Sequence, residues 1–587
     1  MVTLLRTTGV GLVVIINTWN CLALGDRPTM YQTGNVYTIA AISIIGGGLF
    51  GFDISSMSAI IATQPYKCYF NQQGFNDVGE CIGPKADVQG GITASMAGGS
   101  WLAALCSGYL SDRLGRKMAI QIGAVIWVIG CIIVCASQNI AMLIVGRVIN
   151  GFCVGICSAQ VPVYISEIAP PSKRGKLVGA QQWAITWGIM IMFYISYGCS
   201  FINGTGAFRA PWALQMIPAI LLFFGMMILP ESPRWLASKD RWEETRAVLA
   251  LTHGHGDPDS PFVVREFDEI REWIRIESEA KNASYLELIR PRMLNRTIIG
   301  VFMQIWSQLT GMNVMMYYIT YVFQMAGLSG NNLLVSSSIQ YVINVVMTVP
   351  GLLLVDRVGR RPLLLVGAAF MALWLFANAG ILGAYGTNPG PGGVGGNTPE
   401  ASTEVTGAAS KAVIACSYLF VASYAPTWGP AGVDGGVCDG FVVVHHLTHN
   451  QDVDFFFSSE IFPNRVRGKA TALATSANWA FNFALGYFVP PAFINIRWQV
   501  YIVFGVFCVA MWLHVFFCFP ETAGKPLEEV TAMFEDPSGI RYIGTPAWKT
   551  SASTSITSRM ERGQDLEKKL SEDEVPETHE VAPKETV

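Results

Sequence analysis

Charge is scarce in this sequence. Only 14% of its 587 residues are Asp, Glu, Lys or Arg, while 51% are hydrophobic; a soluble domain carries roughly 25% charged residues. With a net charge of −3 the chain offers no basic surface for nucleic acid. Thirteen cysteines are present, yet no C-x-x-C pair occurs, so the spacing of a structural zinc site is missing. There is no nucleophile–base constellation and no phosphate-binding glycine loop. These absences argue against an enzyme, a metal site or a bound cofactor. Most cysteines (Cys106, Cys131, Cys135, Cys153 and Cys157 among them) sit inside apolar runs, where a thiol behaves as a small hydrophobe. Cys68 and Cys81 instead flank a polar stretch between two apolar runs. They could pair as an exoplasmic disulfide, an option that spacing alone leaves open.

What the chain has in abundance is long apolar runs. A membrane-spanning helix needs about 20 mostly apolar residues, and twelve such spans can be read: 36–60, 92–111, 118–137, 140–163, 177–199, 212–230, 297–325, 333–355, 362–385, 410–432, 468–490 and 498–519. The expected fold class is an all-α membrane protein. Spans one to six occupy 30–230, spans seven to twelve 297–519, and a charged stretch, 231–296, lies between them. Within that stretch REFDEIREWIRIESEAK reads as a surface helix. The polar tail, 520–587, reads as largely disordered. Residues 1–29 read as an uncertain extension; their apolar run, Gly9–Leu24, is short and interrupted by Asn17.

Arg and Lys set the orientation. Arg113, Arg116 and Lys117 follow span two, Lys173, Arg174 and Lys176 follow span four, Arg357, Arg360 and Arg361 follow span eight, and Arg465, Arg467 and Lys469 precede span eleven. All fall on one side, which the positive-inside rule makes cytoplasmic. GYLSDRLGRK at 108–117 and GLLLVDRVGRR at 351–361 occupy matching places in the two halves, the mark of a parallel internal repeat. Gly115 and Gly359 supply tight turns. Asp112 and Asp356 are placed to pair with Arg116 and Arg360 and hold neighbouring helices together.

Several motifs together resemble the sugar porters of the major facilitator superfamily, and look most like fungal proton-coupled hexose transporters. They are FGFDISSMS in span one, the paired GRK and GRR loops, GRVINGFCVG in span four, EIAPPSKRGKLVG, PESPRWL at 230–236, QLTGMNVMMYY in span seven, SEIFPNRVRGKA, and PETAGKPLEEV after span twelve. The resemblance covers about Tyr31–Pro526, and Met30 resembles the usual family start. It implies the major facilitator fold, two six-helix halves joined by a cytoplasmic helical linker, working by alternating access in the plasma membrane. A sugar and protons are the expected partners. The resemblance puts the sugar at Phe50, Gln182, Gln308, Asn313, Asn344, Asn478 and Trp479. Amides supply both donors and acceptors, which a sugar needs, although a lone intramembrane amide is as readily an interhelical hydrogen bond. Many family members carry a second Gln where this chain has Ser307.

Asp53 in span one and Arg147 in span four are ionisable residues at depth, functional by default, and match the family's proton-coupling pair. Glu167, Arg174, Glu231, Arg234, Glu460 and Arg467 look like the network that closes the cytoplasmic gate between halves. A sugar sensor on the same scaffold is the rival reading. A tail of 520–587 is shorter than the roughly 100 residues of a signalling domain, which favours transport. Pentoses, polyols and quinate stay open as cargo. Asn203 opens an N-G-T sequon on the expected exoplasmic side, whereas Asn282 and Asn295 open sequons on the cytoplasmic side.

One stretch departs from the family pattern. Between Gly432 and Ser458, where the family has a short Trp-containing bridge, stand some 25 foreign residues, Val433–Phe457, long for a connection inside a packed element. They bring Asp434, Asp439, His445, His446, Asp452 and Asp454 beside a spanning helix, and a charge at the bilayer centre costs about 2.5–3.5 kcal/mol. The segment reads as translated intron, with a histidine-rich loop as the rival.

Overall fold

The computed structural model describes residues 33–254, 256–279, 285–358, 360–390, 392–396, 398–429 and 467–519. The 1–29 extension, the 433–457 insertion and the 520–587 tail lie outside the described residues. Among the described residues every regular element is a helix, apart from three isolated β-bridges.

The spans come in the expected order. Eight helical segments are long and apolar enough to cross a membrane by length and composition: span one, Val36–Ile60; span three, Arg116–Cys135; span four, Ile140–Ile168; span six, Gly206–Ile228; span eight, Gly330–Gly351; span nine, Arg360–Tyr385; span ten, Gly407–Tyr424; and span twelve, Gln499–Cys518. The other four are as long but more polar: span two, Ala86–Leu114; span five, Pro171–Cys199; span seven; and span eleven, Arg467–Asn495. Several helices outrun the apolar stretch that announced them. Span two begins six residues before the expected 92 and span five six before 177, because backbone hydrogen bonding continues past the point where side chains turn polar. Span six begins at Gly206 rather than 212, which leaves only 200–205 between spans five and six.

Span seven is the largest departure. It is not one continuous helix but three: Pro291–Leu309, Met312–Tyr317 and Ile319–Met325. Gly311 sits at the first break with φ 85°, a left-handed conformation that costs other residues roughly 1–2 kcal/mol.

Helix pairing confirms the repeat. In the first half, spans one and five, two and four, three and four, and three and six pack together; in the second, seven and eleven, eight and ten, nine and ten, and nine and twelve do the same. The halves meet along two seams. Span two lies along span eleven, where Trp101 Nε1 donates to Ser476 Oγ at 2.9 Å. Span five lies along span eight, where Tyr197 donates to Asn331 Oδ1 at 2.7 Å. Span one also touches span seven, with Thr320 Oγ1 donating to the Ser58 carbonyl at 3.2 Å.

The linker holds the expected surface helix, Pro261–Glu279, and two more, Pro233–Ser238 and Trp242–His253. They share a small apolar core of Ala237, Leu249, Val263 and Ile270. His253 Nε2 lies 2.8 Å from the Ile168 carbonyl, which ties the linker to the end of span four. On the opposite face Cys68 and Cys81 are disulfide-bonded, with Cα atoms 5.0 Å apart.

Candidate functional site

The most polar spans meet where the halves face each other. Span seven brings Gln308 and Asn313 to this junction, and span eleven brings Asn478. The Asn313 amide donates to Gln308 Oε1, and Gln308 Nε2 donates to Asn478 Oδ1, so three of the expected residues form one amide chain across two spans. The break at Gly311 lies between Gln308 and Asn313 and turns both side chains toward the same place. Next to Asn478, the Trp479 ring meets Phe50 of span one edge to face at 5.0 Å. Phe50 and the amide chain thus approach one region from opposite halves.

Gln182 in span five and Asn344 in span eight are both buried, 6% and 5% exposed. Gln182 Oε1 and Trp479 Nε1 are buried polar atoms with no protein partner. In a desolvated site such atoms carry a free-energy cost that a ligand hydroxyl relieves. Ser307, where the family pattern has an amide, lies beside the Tyr424 side chain of span ten.

The reading from sequence missed amides one helical turn away. Gln304 precedes Gln308 by four residues, Gln340 precedes Asn344 by four, and Asn482 follows Asn478 by four; all three are buried. Residues four apart share a helix face, and that spacing is the signal that finds them. Gln340 Nε2 donates to the Met315 carbonyl at 2.9 Å, and Tyr317 reaches Asn482 Oδ1 at 3.5 Å. Gln340 therefore braces the second piece of span seven.

Asp53 and Arg147 are brought together. Arg147 Nη2 donates to Asp53 Oδ2 at 2.9 Å, and each side chain is 1% exposed. Arg147 Nε donates to the Ile92 carbonyl of span two at 2.9 Å, so the pair joins spans one, two and four. A buried ion pair is weak evidence for stability, because desolvation offsets most of the attraction, and removing one partner strands the other. Such a pair is suited to a switch.

At the cytoplasmic ends, Arg116 pairs with both Glu167 (Nε–Oε2 3.1 Å) and Asp112 (Nη1–Oδ1 3.3 Å). Glu231 Oε1 accepts the backbone N–H groups of Arg116, Lys117 and Ser232 at 3.0, 3.1 and 2.9 Å. It thereby caps the positive N-terminus of span three. Burial pushes the Glu231 carboxyl above its ordinary range, against the pull of those amides and of Arg116 and Lys117. Gly115 has φ 97°, the tight turn that the motif predicts. These contacts lie within the first half and its linker. Arg234 is half-buried on the helix Pro233–Ser238, and Arg360 is buried at the start of span nine. The side chains of Arg174, Asp356 and Arg467, and all of Gly359 and Glu460, lie outside the described residues.

Comparison with known proteins gives a consistent picture. The family described as "Sugar (and other) transporter" matches residues 39–433 and 440–534. The high-affinity glucose transporter of Kluyveromyces lactis is 50% identical over 519 residues, which is 88% of this chain and 87% of that protein. The high-affinity glucose transporter 1 of Candida albicans is 43% identical over 568 residues, 96% of this chain and 97% of that one. Among solved structures, the proton:xylose symporter XylE bound to 6-bromo-6-deoxy-D-glucose superposes with a TM-score of 0.65 at 26% identity. It covers 85% of this chain and 99% of its own.

Proposed function

Since the chain belongs to the sugar transporter family of the major facilitator superfamily, and is therefore a multi-pass membrane protein that moves sugar, we propose that its cargo is a hexose, glucose foremost. We propose further that protons travel with it by alternating access across the plasma membrane. The observation that carries the hexose reading is the Asn313–Gln308–Asn478 amide chain beside the Phe50–Trp479 ring pair. Donors and acceptors alternate there next to an aromatic face, which suits a ring that is polar at its hydroxyls and apolar at its C–H edges. Two fungal relatives of high identity bear the name glucose transporter, which supports the same reading.

Asp53 and Arg147 are the coupling pair in this scheme. With Asp53 ionised, the ion pair locks spans one, two and four together. When Asp53 takes a proton, Arg147 is released and the helices rearrange. The Arg116–Glu167–Glu231 cluster holds the cytoplasmic ends of the first half as one body, and Arg174, Arg234, Asp356, Glu460 and Arg467 complete the gate with the second half.

The test is uptake of labelled glucose by a cell lacking its own hexose transporters, with xylose, a polyol and quinate as competitors and with a protonophore added. The reading expects accumulation against a gradient, strongest competition by hexoses, and collapse with the protonophore. Accumulation that ignores the protonophore removes proton coupling. Quinate or pentose competing better than glucose removes the hexose assignment. A cell that takes up none of these sugars but responds to glucose in its transcription favours the sensor.

A further inference from the structure

Two charged side chains are buried in connections outside the spans, away from the site described above. Lys67, on the short helix Gln64–Tyr69 after span one, is 4% exposed, and so is Glu400, in the 386–406 connection between spans nine and ten. Connections ordinarily run over the surface, and a buried charge persists only where it is paired or hydrogen-bonded. The 386–406 connection folds on itself: Thr387 and Glu404 exchange backbone hydrogen bonds at 2.8 and 2.9 Å, and Val394 N–H donates to the Ala401 carbonyl at 2.9 Å. Val405 N–H donates to the Met325 carbonyl at 2.9 Å and the Ser402 hydroxyl to that of Phe493, which fastens it to spans seven and eleven. Among the described residues two hydrogen bonds join it to the first half. Lys67 Nζ donates to Thr398 Oγ1 at 2.7 Å, and Asn76 Nδ2 to the Gly395 carbonyl at 3.3 Å. Lys67 adjoins Cys68, so the Cys68–Cys81 disulfide braces this anchor.

We infer that residues 386–406 form a clasp joining the two halves on the exoplasmic side, closed by Lys67, Thr398 and Glu400, and that Glu400 makes closure depend on exoplasmic pH. The inference rests on the alternating-access reading, in which these halves must part for sugar to enter from outside.

The charged and titratable groups around Glu400 are Lys67 and Tyr66 of the first half and Tyr318 and Tyr321 of span seven; Lys67 also feels Glu80. Burial pushes the Glu400 carboxyl up to about 7, opposed by its own backbone amide and by Lys67. Burial pulls the Lys67 amine down to about 8, opposed by Glu400 and Glu80. When the clasp opens into water, Glu400 returns toward its ordinary value of 4.5, so closing takes up a proton there. The stabilisation of the closed form is complete below the open-state value and is lost as pH rises through about 7. Lys67 stays protonated in both forms over most of that window. Closure at pH 5 is therefore stronger than at pH 7 by roughly fortyfold.

Ser58 reports the opening. Its hydroxyl lies 2.9 Å from that of Tyr341 across the halves, so a Ser58→Cys thiol is shielded from a membrane-impermeant maleimide until they part. The rate of labelling is compared between this reporter and the same reporter carrying Glu400→Gln, at matched pH, so that the thiol's own titration cancels. At pH 8 the reporter with Glu400 intact should label on the order of a hundredfold faster, because the glutamine variant stays neutral and closed; at pH 5 the two rates should come within a few-fold of each other. Thr398→Val, which removes the Lys67 hydrogen bond, should raise labelling about tenfold at every pH, and it remains informative if Glu400→Gln fails to reach the membrane. A rate ratio that does not change with pH, or a Thr398→Val rate equal to the parent's, overturns the clasp. A Ser58→Cys rate that also ignores saturating glucose overturns alternating access instead.

Discussion

Converting Asp53 to asparagine keeps the size of the side chain but removes the charge that holds Arg147 2.9 Å away. The variant should lose concentrative uptake while keeping sugar exchange across the membrane, because binding and rearrangement no longer require a proton. Accumulation ratios at steady state measure this, and full accumulation by Asp53→Asn rules out the coupling role. Gln308 is a different case. It donates to Asn478 and accepts from Asn313, so Gln308→Ala breaks both of these hydrogen bonds and removes the proposed sugar contact. A lost hydrogen bond in a desolvated site costs about 1–3 kcal/mol, which corresponds to a rise in KM of roughly one to two orders of magnitude. An unchanged KM in a variant that reaches the membrane contradicts the site. Both predictions concern residues that were legible in the sequence, since an ionisable group or an amide inside an apolar run is uncommon. Lys67 and Glu400 were not legible. Each lies in a polar connection where charge is ordinary, and only the fold reveals that both are buried.

Among the helices, span seven carries the clearest constraint. Gly311 has φ 85°, and a Cβ there would stand 3.0 Å from the Phe504 ring. Gly311→Ala should therefore lower stability by about 1–2 kcal/mol, read as a fall in thermal midpoint in detergent. It should also raise KM, because the break aims Gln308 and Asn313 together; a midpoint and KM both equal to the parent's show that the break is incidental. The break was hidden in the sequence because the residues around it, from Trp306 to Tyr318, remain largely apolar. Helix ends were blurred for the opposite reason: the first turns of spans two and five are polar and still helical. The repeat was plain, since the D-R-x-G-R loops marked equivalent places in both halves before the helix pairings did.

For the whole molecule, the predictions concern orientation and the integrity of the second half. Asn203 is exposed in the 200–205 turn, on the side opposite the basic loops. A glycosidase-sensitive mass shift should disappear with Asn203→Gln, whereas a shift that disappears with Asn282→Gln inverts the topology. Residues 433–457 read from the sequence as an insertion; the family match pauses between 433 and 440 and resumes within that segment. Replacing them with a short Trp-containing bridge should raise glucose uptake severalfold; mature transcripts that carry these codons, with equal uptake by both forms, refute the intron reading. The division between eight apolar spans and four polar ones has a consequence for how the protein is made. An isolated helix stays in lipid only if its residues favour it on balance, and spans two, five, seven and eleven hold polar groups that hydrocarbon cannot satisfy. During synthesis each such helix leaves the ribosome before all of its eventual neighbours exist. Span two must wait for span eleven, nearly four hundred residues later by the numbering. The first half is thus made with a polar flank that only the second half covers.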